Sequence, residues 1–314
     1  MISGNRVRRG LGMRVAALAA VLAVAGSSAS AAGPDDKASY NASQEQWRAN
    51  RAKSLQAPEG WLSLVGLEWL KAGSNAVGSA PESTAHLPAG APAHLAVIEQ
   101  TEKVPGASLK IDAPKGGFPA GFTIDGKPAV AGPLSLDSKL QFGSFVVTII
   151  PRGELLGLRI KDANAPERVN FRGLNWYAPN VAYRVQAKWI PYQRAHEVAI
   201  ATVIGTTLHE KVPGAAEFQL NGKTLRLEPV VEGKKLFFIL RDLTSRTTTY
   251  GASRFLYTDF PTQGLDKAGA VTLDFNQLQN PPCAYTNFAT CPLPPQQNKL
   301  QVAIPVGEKR FHDE

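Results

Sequence analysis

The residues best able to do chemistry lie in two polar segments in the last third of the chain. A carboxylate that lies beside a guanidinium and a phenol can move a proton or hold negative charge on a ligand. Sequential strands usually neighbour each other, so these side chains are expected to converge on one pocket. The candidate pocket residues are Asp242, Thr244, Tyr250, Arg254, Asp274, Asn276 and Asn280, with Arg159 and Asp162 from an earlier strand.

The same residues also have a structural interpretation, which is the stronger of the two. Aspartate and threonine at positions 242 and 244 suit a turn, in which their side chains bond to backbone N–H groups. A buried ion pair between Arg254 and Asp274 would fix the register of two strands. Asparagine side chains at 276 and 280 can satisfy backbone groups of an irregular loop. We therefore assign no catalytic residue from the sequence.

Local motifs for common chemistries are missing or incomplete. The sequence contains no Gly-x-Ser-x-Gly nucleophile motif, and its five histidines are not spaced as metal ligands. Residues 121–128 approach the phosphate-binding loop pattern, but Pro128 stands where serine or threonine should bind magnesium. Asp125-Gly126 within that segment is more typical of a hairpin turn. The sequence predicts neither a metal site nor a cofactor.

Both cysteines of the chain lie in a proline-rich segment near the C-terminus. Cys283 and Cys291 would close a short loop, and in an exported chain they are expected to form a disulfide. A thiolate metal site is the alternative, although no histidine lies nearby to complete it. The disulfide interpretation is favoured because two widely spaced thiolates make a weak zinc site.

The first 31 residues have the pattern of a cleaved export signal. Four arginines precede an apolar run over residues 15–24, which is too short to span a bilayer, and Ala29-Ser30-Ala31 fits a cleavage site. Removal of the signal lowers the net charge from +8 to +4, which does not indicate a nucleic-acid-binding protein. We expect a periplasmic or extracellular protein with no integral membrane segment after cleavage.

The rest of the chain has the pattern of a mainly β protein. Residues 43–56 predict one short helix with Ser43 as its cap, and Pro58 follows it. Short apolar runs separated by glycine, proline and asparagine then predict antiparallel strands, and Asn221-Gly222 predicts a tight hairpin. The expected division is a signal peptide at 1–31, a linker and helix at 32–59, a β-sandwich at 60–165, and a larger antiparallel β-barrel or sandwich at 166–314 with the disulfide-stapled proline-rich loop.

Several segments together resemble one family of bacterial proteins, the domain of unknown function 1684. These segments are residues 60–67, 152–153, 158–162, 171–177, 241–245, 249–251, 254–257, 273–295, 298–300 and 307–309. The resemblance extends over about residues 47–309, and it implies no activity because the family has none established. Members commonly have glycine after the Thr-Ser pair, where this chain has Arg246.

A weaker resemblance links residues 66–150 to the forkhead-associated β-sandwich. The positions that would bind phosphothreonine in such a domain hold Ser79, Ala91 and Asp125. A missing cation and an added carboxylate would repel a phosphate, so the resemblance implies a scaffold without phosphopeptide binding.

Two functions are compatible with these observations. The first is a non-enzymatic envelope protein that binds a small polar ligand or another envelope component. The alternative is a hydrolase-type enzyme that uses the Asp242, Tyr250, Arg254 and Asp274 cluster with its neighbouring asparagines.

Overall fold

The computed structural model describes residues 34–312 except residues 103 and 105. The export signal predicted for residues 1–31 lies outside the described residues. The predicted mainly β fold is confirmed, because strands and turns make up most of the described chain and helices are few. Within that part of the chain, no helix combines the length and apolar character needed to cross a membrane.

Eighteen strands follow one another in the described chain. They are β1 (Leu64–Trp69), β2 (Gly73–Gly78), β3 (Ala85–His86), β4 (Ala96–Gln100), β5 (Leu109–Asp112), β6 (Thr123–Ile124), β7 (Lys127–Pro128), β8 (Gly132–Leu134), β9 (Lys139–Phe142), β10 (Phe145–Arg152), β11 (Leu155–Asp162), β12 (Arg184–Ala201), β13 (Thr207–Leu220), β14 (Lys223–Leu227), β15 (Val230–Glu232), β16 (Lys235–Leu240), β17 (Arg254–Thr258) and β18 (Gly269–Asp274).

The α-helices are α1 (Pro34–Leu55) and the single turn α2 (Pro166–Val169). Helix α1 includes residues 43–55 of the helix predicted over 43–56 but begins nine positions earlier, at a proline, which is well tolerated in the first turn of a helix. Ser43 therefore does not cap it, and its hydroxyl bonds instead to the carbonyl of Tyr40 one turn earlier at 2.6 Å. The helix buries only Gln44 and Leu55 of its described side chains, so polar contacts account for much of its attachment.

The first eleven strands form two sheets over one apolar core. The six-stranded sheet has the order β1-β11-β10-β9-β6-β7, and the five-stranded sheet has the order β3-β2-β4-β5-β8. Val77, Ile98 and Ile111 from the second sheet share this core with Val147 and Leu158 from the first. Strand β10 is buried at most positions, as expected for a strand whose two faces are both covered.

The remaining strands form a four-stranded sheet, β14-β13-β12-β18, and a three-stranded sheet, β15-β16-β17. Trp189, Phe238 and Phe275 are fully buried in the core that these sheets share. Neither sheet closes on itself in the described chain, so the barrel considered from the sequence does not form. The division into domains at residues 165 and 166 stays a prediction.

The predicted hairpin turn at Asn221-Gly222 joins β13 to β14. Both residues have positive φ, 51° and 72°, which is the requirement of the primed turn that matches strand twist. Asp125-Gly126 joins β6 to β7 with the same pair of signs, 51° and 77°. This geometry is a hairpin turn and leaves no phosphate-binding loop at residues 121–128.

The chain after β18 has almost no regular secondary structure. A disulfide joins Cys283 to Cys291, with a Cα–Cα distance of 6.2 Å. Single bridges connect this segment to the sheets, and the buried Asn298 donates to the carbonyls of Glu228 at 2.8 Å and Ile239 at 3.0 Å. Side-chain hydrogen bonds thus satisfy backbone groups that a sheet would otherwise pair.

Candidate functional site

Arg254 and Asp242 form an ion pair inside the protein. The distance from Nη1 to Oδ2 is 2.8 Å, and both side chains are fully buried. Arg254 also donates to the carbonyls of Ile304 and Val306, while Asp242 accepts from the backbone and hydroxyl of Thr244. The partner of Arg254 is therefore Asp242, and the pair expected with Asp274 is wrong because Asp274 bonds elsewhere.

Asp274 anchors helix α1, and Asn276 supports Asp274. The carboxylate of Asp274 accepts from Tyr40 at 2.9 Å, from Gln44 at 3.0 Å and from the backbone of Asn276 at 3.1 Å. The two residues were expected on one strand face, but β18 ends at Asp274 and Asn276 lies in the 3-10 turn that follows. Asn276 in turn accepts from the backbone N–H of Asn180 at 2.7 Å. Both side chains are occupied by these contacts.

Asn280 belongs to a third group of contacts, around a fully buried carboxylate. Its side chain donates to Glu308 at 2.9 Å, and Tyr285 donates to the same oxygen. The Nε atom of Arg51 lies 3.7 Å from the other oxygen of Glu308. Burial raises the pKa of Glu308, while Arg51 and the hydrogen bonds from Tyr285 and Asn280 oppose that shift. Glu308, Tyr285 and Arg51 were not among the predicted site residues.

The other predicted residues lie apart from one another. Tyr250 donates to the carbonyl of Cys283 at 3.2 Å, and Asp162 accepts from the backbone of Asn164 at 2.8 Å in a surface turn. Thr244 supports Asp242, as described above. The nine predicted residues thus do not share one pocket. Asp242 contacts both Thr244 and Arg254, Asp274 contacts Asn276, and three different cavities are lined by Asp242, by Asp274, and by Asn280 with Arg159.

The last of these cavities, called here the arginine cavity, has a volume of about 330 Å³. Four parts of the chain meet there. They are α1 with Arg51, strands β10 and β11 with Arg152 and Arg159, the three-stranded sheet with Glu232, Phe237, Phe255 and Tyr257, and residues 279–292 around the disulfide. Trp61, in the turn before β1, completes the wall. The cavity combines arginines with aromatic rings, which is typical of ligand sites.

Arg159 is the least satisfied cation of this cavity. Its guanidinium lies 5.0 Å from the centre of the Trp61 ring, and its Nε atom is buried without a hydrogen-bond acceptor. Burial lowers the pKa of Arg159 to about 10, and repulsion from Arg152 contributes to the shift. The positive charge of Arg159 has no ion-pair partner in the described chain, so an anion in the cavity would compensate it.

Arg152 reaches the cavity from the end of β10. Its Nε donates to the hydroxyl of Thr290 at 2.7 Å, and its Nη1 donates to the carbonyl of Pro151 at 2.7 Å. Burial lowers the pKa of Arg152 as well. In the described part of the chain, neither Arg152 nor Arg159 has a carboxylate as an ion-pair partner. No carboxylate of the described chain therefore neutralises either guanidinium.

The opposite wall carries the aromatic rings and one acid. Phe237 and Tyr257 are stacked with ring centres 4.5 Å apart. Tyr257 donates to the exposed Glu232 at 3.4 Å, and burial together with that carboxylate raises the pKa of the Tyr257 hydroxyl. Glu232 lies at the rim and Tyr257 stays protonated, so the net charge of the lining is positive.

Sequence reasoning identified Arg159 and Asn280 in this cavity but missed Arg51, Arg152 and Trp61. A weak signal existed, because residues 60–67 and 152–153 belong to the segments that carried the family resemblance. Nothing local indicated that they meet, since they lie about a hundred positions apart along the chain. Across residues 34–312 with the two gaps, no group of histidine, cysteine and acidic side chains is arranged to hold a metal ion.

Comparison with known proteins gives a family match and a partial structural likeness. Residues 169–309 match the family described as Protein of unknown function (DUF1684), which confirms the resemblance over that part. The forkhead-associated resemblance is not confirmed. An uncharacterized protein of Haloarcula marismortui, solved by NMR, is 29% identical over 46% of this chain and 79% of its own, with a TM-score of 0.39. No curated protein matches the chain.

Proposed function

We propose from the geometry that this protein binds a small organic anion in the arginine cavity. The match of residues 169–309 to the DUF1684 family brings no activity, because that family is one of unknown function. The observation that carries the proposal is Arg159, a partly buried guanidinium that lines the cavity and has no ion-pair partner in the described chain. An anion in the cavity would neutralise this charge and accept charge-assisted hydrogen bonds from the guanidinium.

The lining supports binding more than it supports catalysis. Two arginines fix a negative group, while Trp61 and Tyr257 offer apolar surface to the rest of the ligand. Asp242 and Arg254, which the hydrolase alternative assigned to an active centre, are fully buried and pair with each other. Neither side chain is available to a substrate, so binding is the better-supported function.

We also propose that the protein works outside the cytoplasm. The pattern of residues 1–31 supports export to the periplasm or the medium. The disulfide between Cys283 and Cys291 is compatible with an oxidising compartment. A small anion from the envelope or the surrounding medium is then the ligand to seek.

Isothermal titration calorimetry with benzoate, phenyl sulfate and phenyl phosphate tests the proposal. At least one of these aryl anions should bind the wild-type protein, and Arg159→Met should weaken that binding at least tenfold, since charge-assisted hydrogen bonds contribute roughly 1.5–3 kcal/mol. Methionine keeps an apolar stem of similar reach in place of the arginine stem, so packing should survive.

Arg194→Met is the matched control, because Arg194 is exposed on β12 and does not line the cavity. It should bind like the wild type. The melting temperature of unliganded Arg159→Met should equal or exceed that of the wild type, since the change removes a cation without an ion-pair partner. Absence of binding by all three anions, or unchanged binding by Arg159→Met, would refute the proposal.

A further inference from the structure

The arginine cavity contains two positive charges that the described protein leaves uncompensated. Of its three arginines, Arg51 faces the buried carboxylate of Glu308 at 3.7 Å. Arg152 and Arg159 have no ion-pair partner in the described residues, and Glu232 is exposed at the rim. A ligand with a single negative charge would leave one of these two cations without compensation.

Strand register places the two arginines so that they can share one ligand. Arg159 on β11 pairs with Thr148 on β10, and Arg152 lies four positions further along β10. Paired residues and those two or four positions away point to the same face of a sheet. At about 3.3 Å per residue the backbones are roughly 13 Å apart, which two extended arginine side chains can bridge from opposite sides.

A third donor is available beside Arg152. Thr290 is buried, and its hydroxyl accepts from Nε of Arg152 at 2.7 Å, which leaves the hydroxyl hydrogen free to donate. Two guanidiniums and one hydroxyl suit a tetrahedral group with three terminal oxygens better than a planar carboxylate with two. The rings of Trp61 and Tyr257 line the remaining space.

We propose that the ligand is a small phosphate monoester with a ring as its organic part, its dianionic phosphate held between Arg152 and Arg159. This inference rests on the proposed anion-binding function and narrows its ligand class. A phosphate monoester carries about two negative charges above its second pKa of about 6, whereas a sulfate ester or a carboxylate carries one. The cavity volume of about 330 Å³ favours a ligand of modest size.

Calorimetric titrations at about pH 7.5 and about pH 5, on either side of that second pKa, separate the ligand classes. At the higher pH, phenyl phosphate should bind at least tenfold tighter than phenyl sulfate or benzoate. Inorganic phosphate should bind more weakly than phenyl phosphate, because it lacks the ring. At the lower pH, phenyl phosphate should lose at least threefold in affinity.

Phenyl sulfate is the control for titration of the protein, because its charge does not change over this range. The charged and titratable side chains of the lining are Arg51, Arg152, Arg159, Glu232 and Tyr257, and Glu308 lies behind Arg51 with a raised pKa. Any change in the affinity for phenyl sulfate between the two pH values therefore measures titration of the protein, and the loss for phenyl phosphate should exceed that change at least threefold.

Arg152→Met and Arg159→Met should each reduce the preference for phenyl phosphate over phenyl sulfate to less than threefold. Thermal melting of each variant checks that it is folded. Equal affinity of wild-type protein for the three aryl anions would overturn the phosphate class and leave anion binding intact. Failure of every anion to bind would overturn both proposals.

Discussion

Arg246 holds a backbone conformation that suits glycine better than arginine. Its φ is 73°, in the left-handed region where a Cβ atom crowds the backbone. This is the position at which the resembling family commonly has glycine. Backbone hydrogen bonds stabilise this turn, including one from the N–H of Arg246 to the carbonyl of Thr249 at 3.3 Å. The arginine therefore carries a local strain that glycine would not.

Arg246→Gly should raise the free energy of unfolding by about 0.5–1 kcal/mol, the cost of the left-handed conformation less the added flexibility of glycine in the unfolded chain. Urea unfolding measures the difference. Arg246→Ala removes the same charge but keeps a Cβ, so it should bring no gain. Equal stabilisation by both variants would assign the effect to charge.

Asp242→Asn should destabilise the protein strongly, because it leaves the fully buried Arg254 without a counter-charge. Breaking a buried pair in this way costs about 3–5 kcal/mol. Asp162→Asn is the control, since its oxygen can still accept from the backbone of Asn164 in the exposed turn, and it should change stability by less than about 0.5 kcal/mol. Similar unfolding curves for the two variants would contradict a structural role for the ion pair.

Residue types in the sequence indicated which polar side chains have a structural role, but they did not indicate the hydrogen-bond and ion-pair partners of those side chains. Arg254, Asp242 and Asn276 are all buried and hydrogen-bonded, as the structural interpretation expected. The partner of Arg254 was misassigned because both aspartates lie at comparable distances along the chain. The tertiary structure selects the partner: Arg254 on β17 donates to the carbonyls of Ile304 and Val306, and its guanidinium then lies beside Asp242.

At the scale of elements, the disulfide segment supplies one wall of the arginine cavity. Ala289, Thr290, Cys291 and Pro292 line it, and Thr290 holds Arg152 in place. Because few ladder bonds fix this segment, the crosslink has to limit its motion in the folded state. Ligand binding should therefore depend on the disulfide as well as on the arginines.

The double substitution Cys283→Ala and Cys291→Ala should lower the free energy of unfolding by about 2–3 kcal/mol, from the entropy of closing a short loop. It should also weaken binding of phenyl phosphate, measured by calorimetry, because Thr290 is less firmly placed. Wild-type protein reduced with dithiothreitol should behave like the variant. Unchanged stability in both would show that the crosslink does not constrain the chain.

Elements with strong local signals could be predicted from the sequence. The Asn221-Gly222 hairpin is confirmed because a two-residue turn with two positive φ values is set by those residues alone. The start of α1 was placed too late, since Ser43 resembles a cap but the helix is already formed before it. Residues 34–42 are helical as well, and they make tertiary contacts such as that of Tyr40 with Asp274. No local sequence pattern encodes such contacts.

At the scale of the whole molecule, Glu308 joins the C-terminal segment to two other parts of the chain. Arg51 comes from α1, Asn280 and Tyr285 come from the disulfide segment, and all three surround the Glu308 carboxylate. The sequence could not indicate that these side chains lie together, because some of the contacts join residues more than two hundred positions apart. What could be predicted was the β class of the fold, since that follows from composition and spacing.

Glu308 should make stability depend on pH in a defined direction. Burial raises its pKa above 4.5 in the folded state, so the folded protein holds this proton more tightly than the unfolded chain. Its contribution to stability is full below that value and is lost as the pH rises through the folded pKa. The stability of the wild type relative to Glu308→Gln should therefore fall as the pH increases above about 4.5.

Chemical unfolding of both proteins across this pH range measures the difference. A relative stability that increases with pH would contradict the direction of the shift. If Glu308→Gln does not fold, an NMR titration of the side-chain carboxyl carbon in the wild type reports the pKa directly, and a value below 4.5 would refute the prediction.

The attachment of α1 has a consequence for biogenesis. Tyr40 finds its partner Asp274 only 234 positions later, and Arg51 waits for Glu308. Chains emerge from the ribosome from the N-terminus onward, so this helix appears early and remains without these two partners until nearly the whole polypeptide has followed. The cavity wall is thus completed only when residues 279–292 have been made, and a chain interrupted before Asp274 would leave α1 without the anchoring contacts of Tyr40, Gln44 and Arg51.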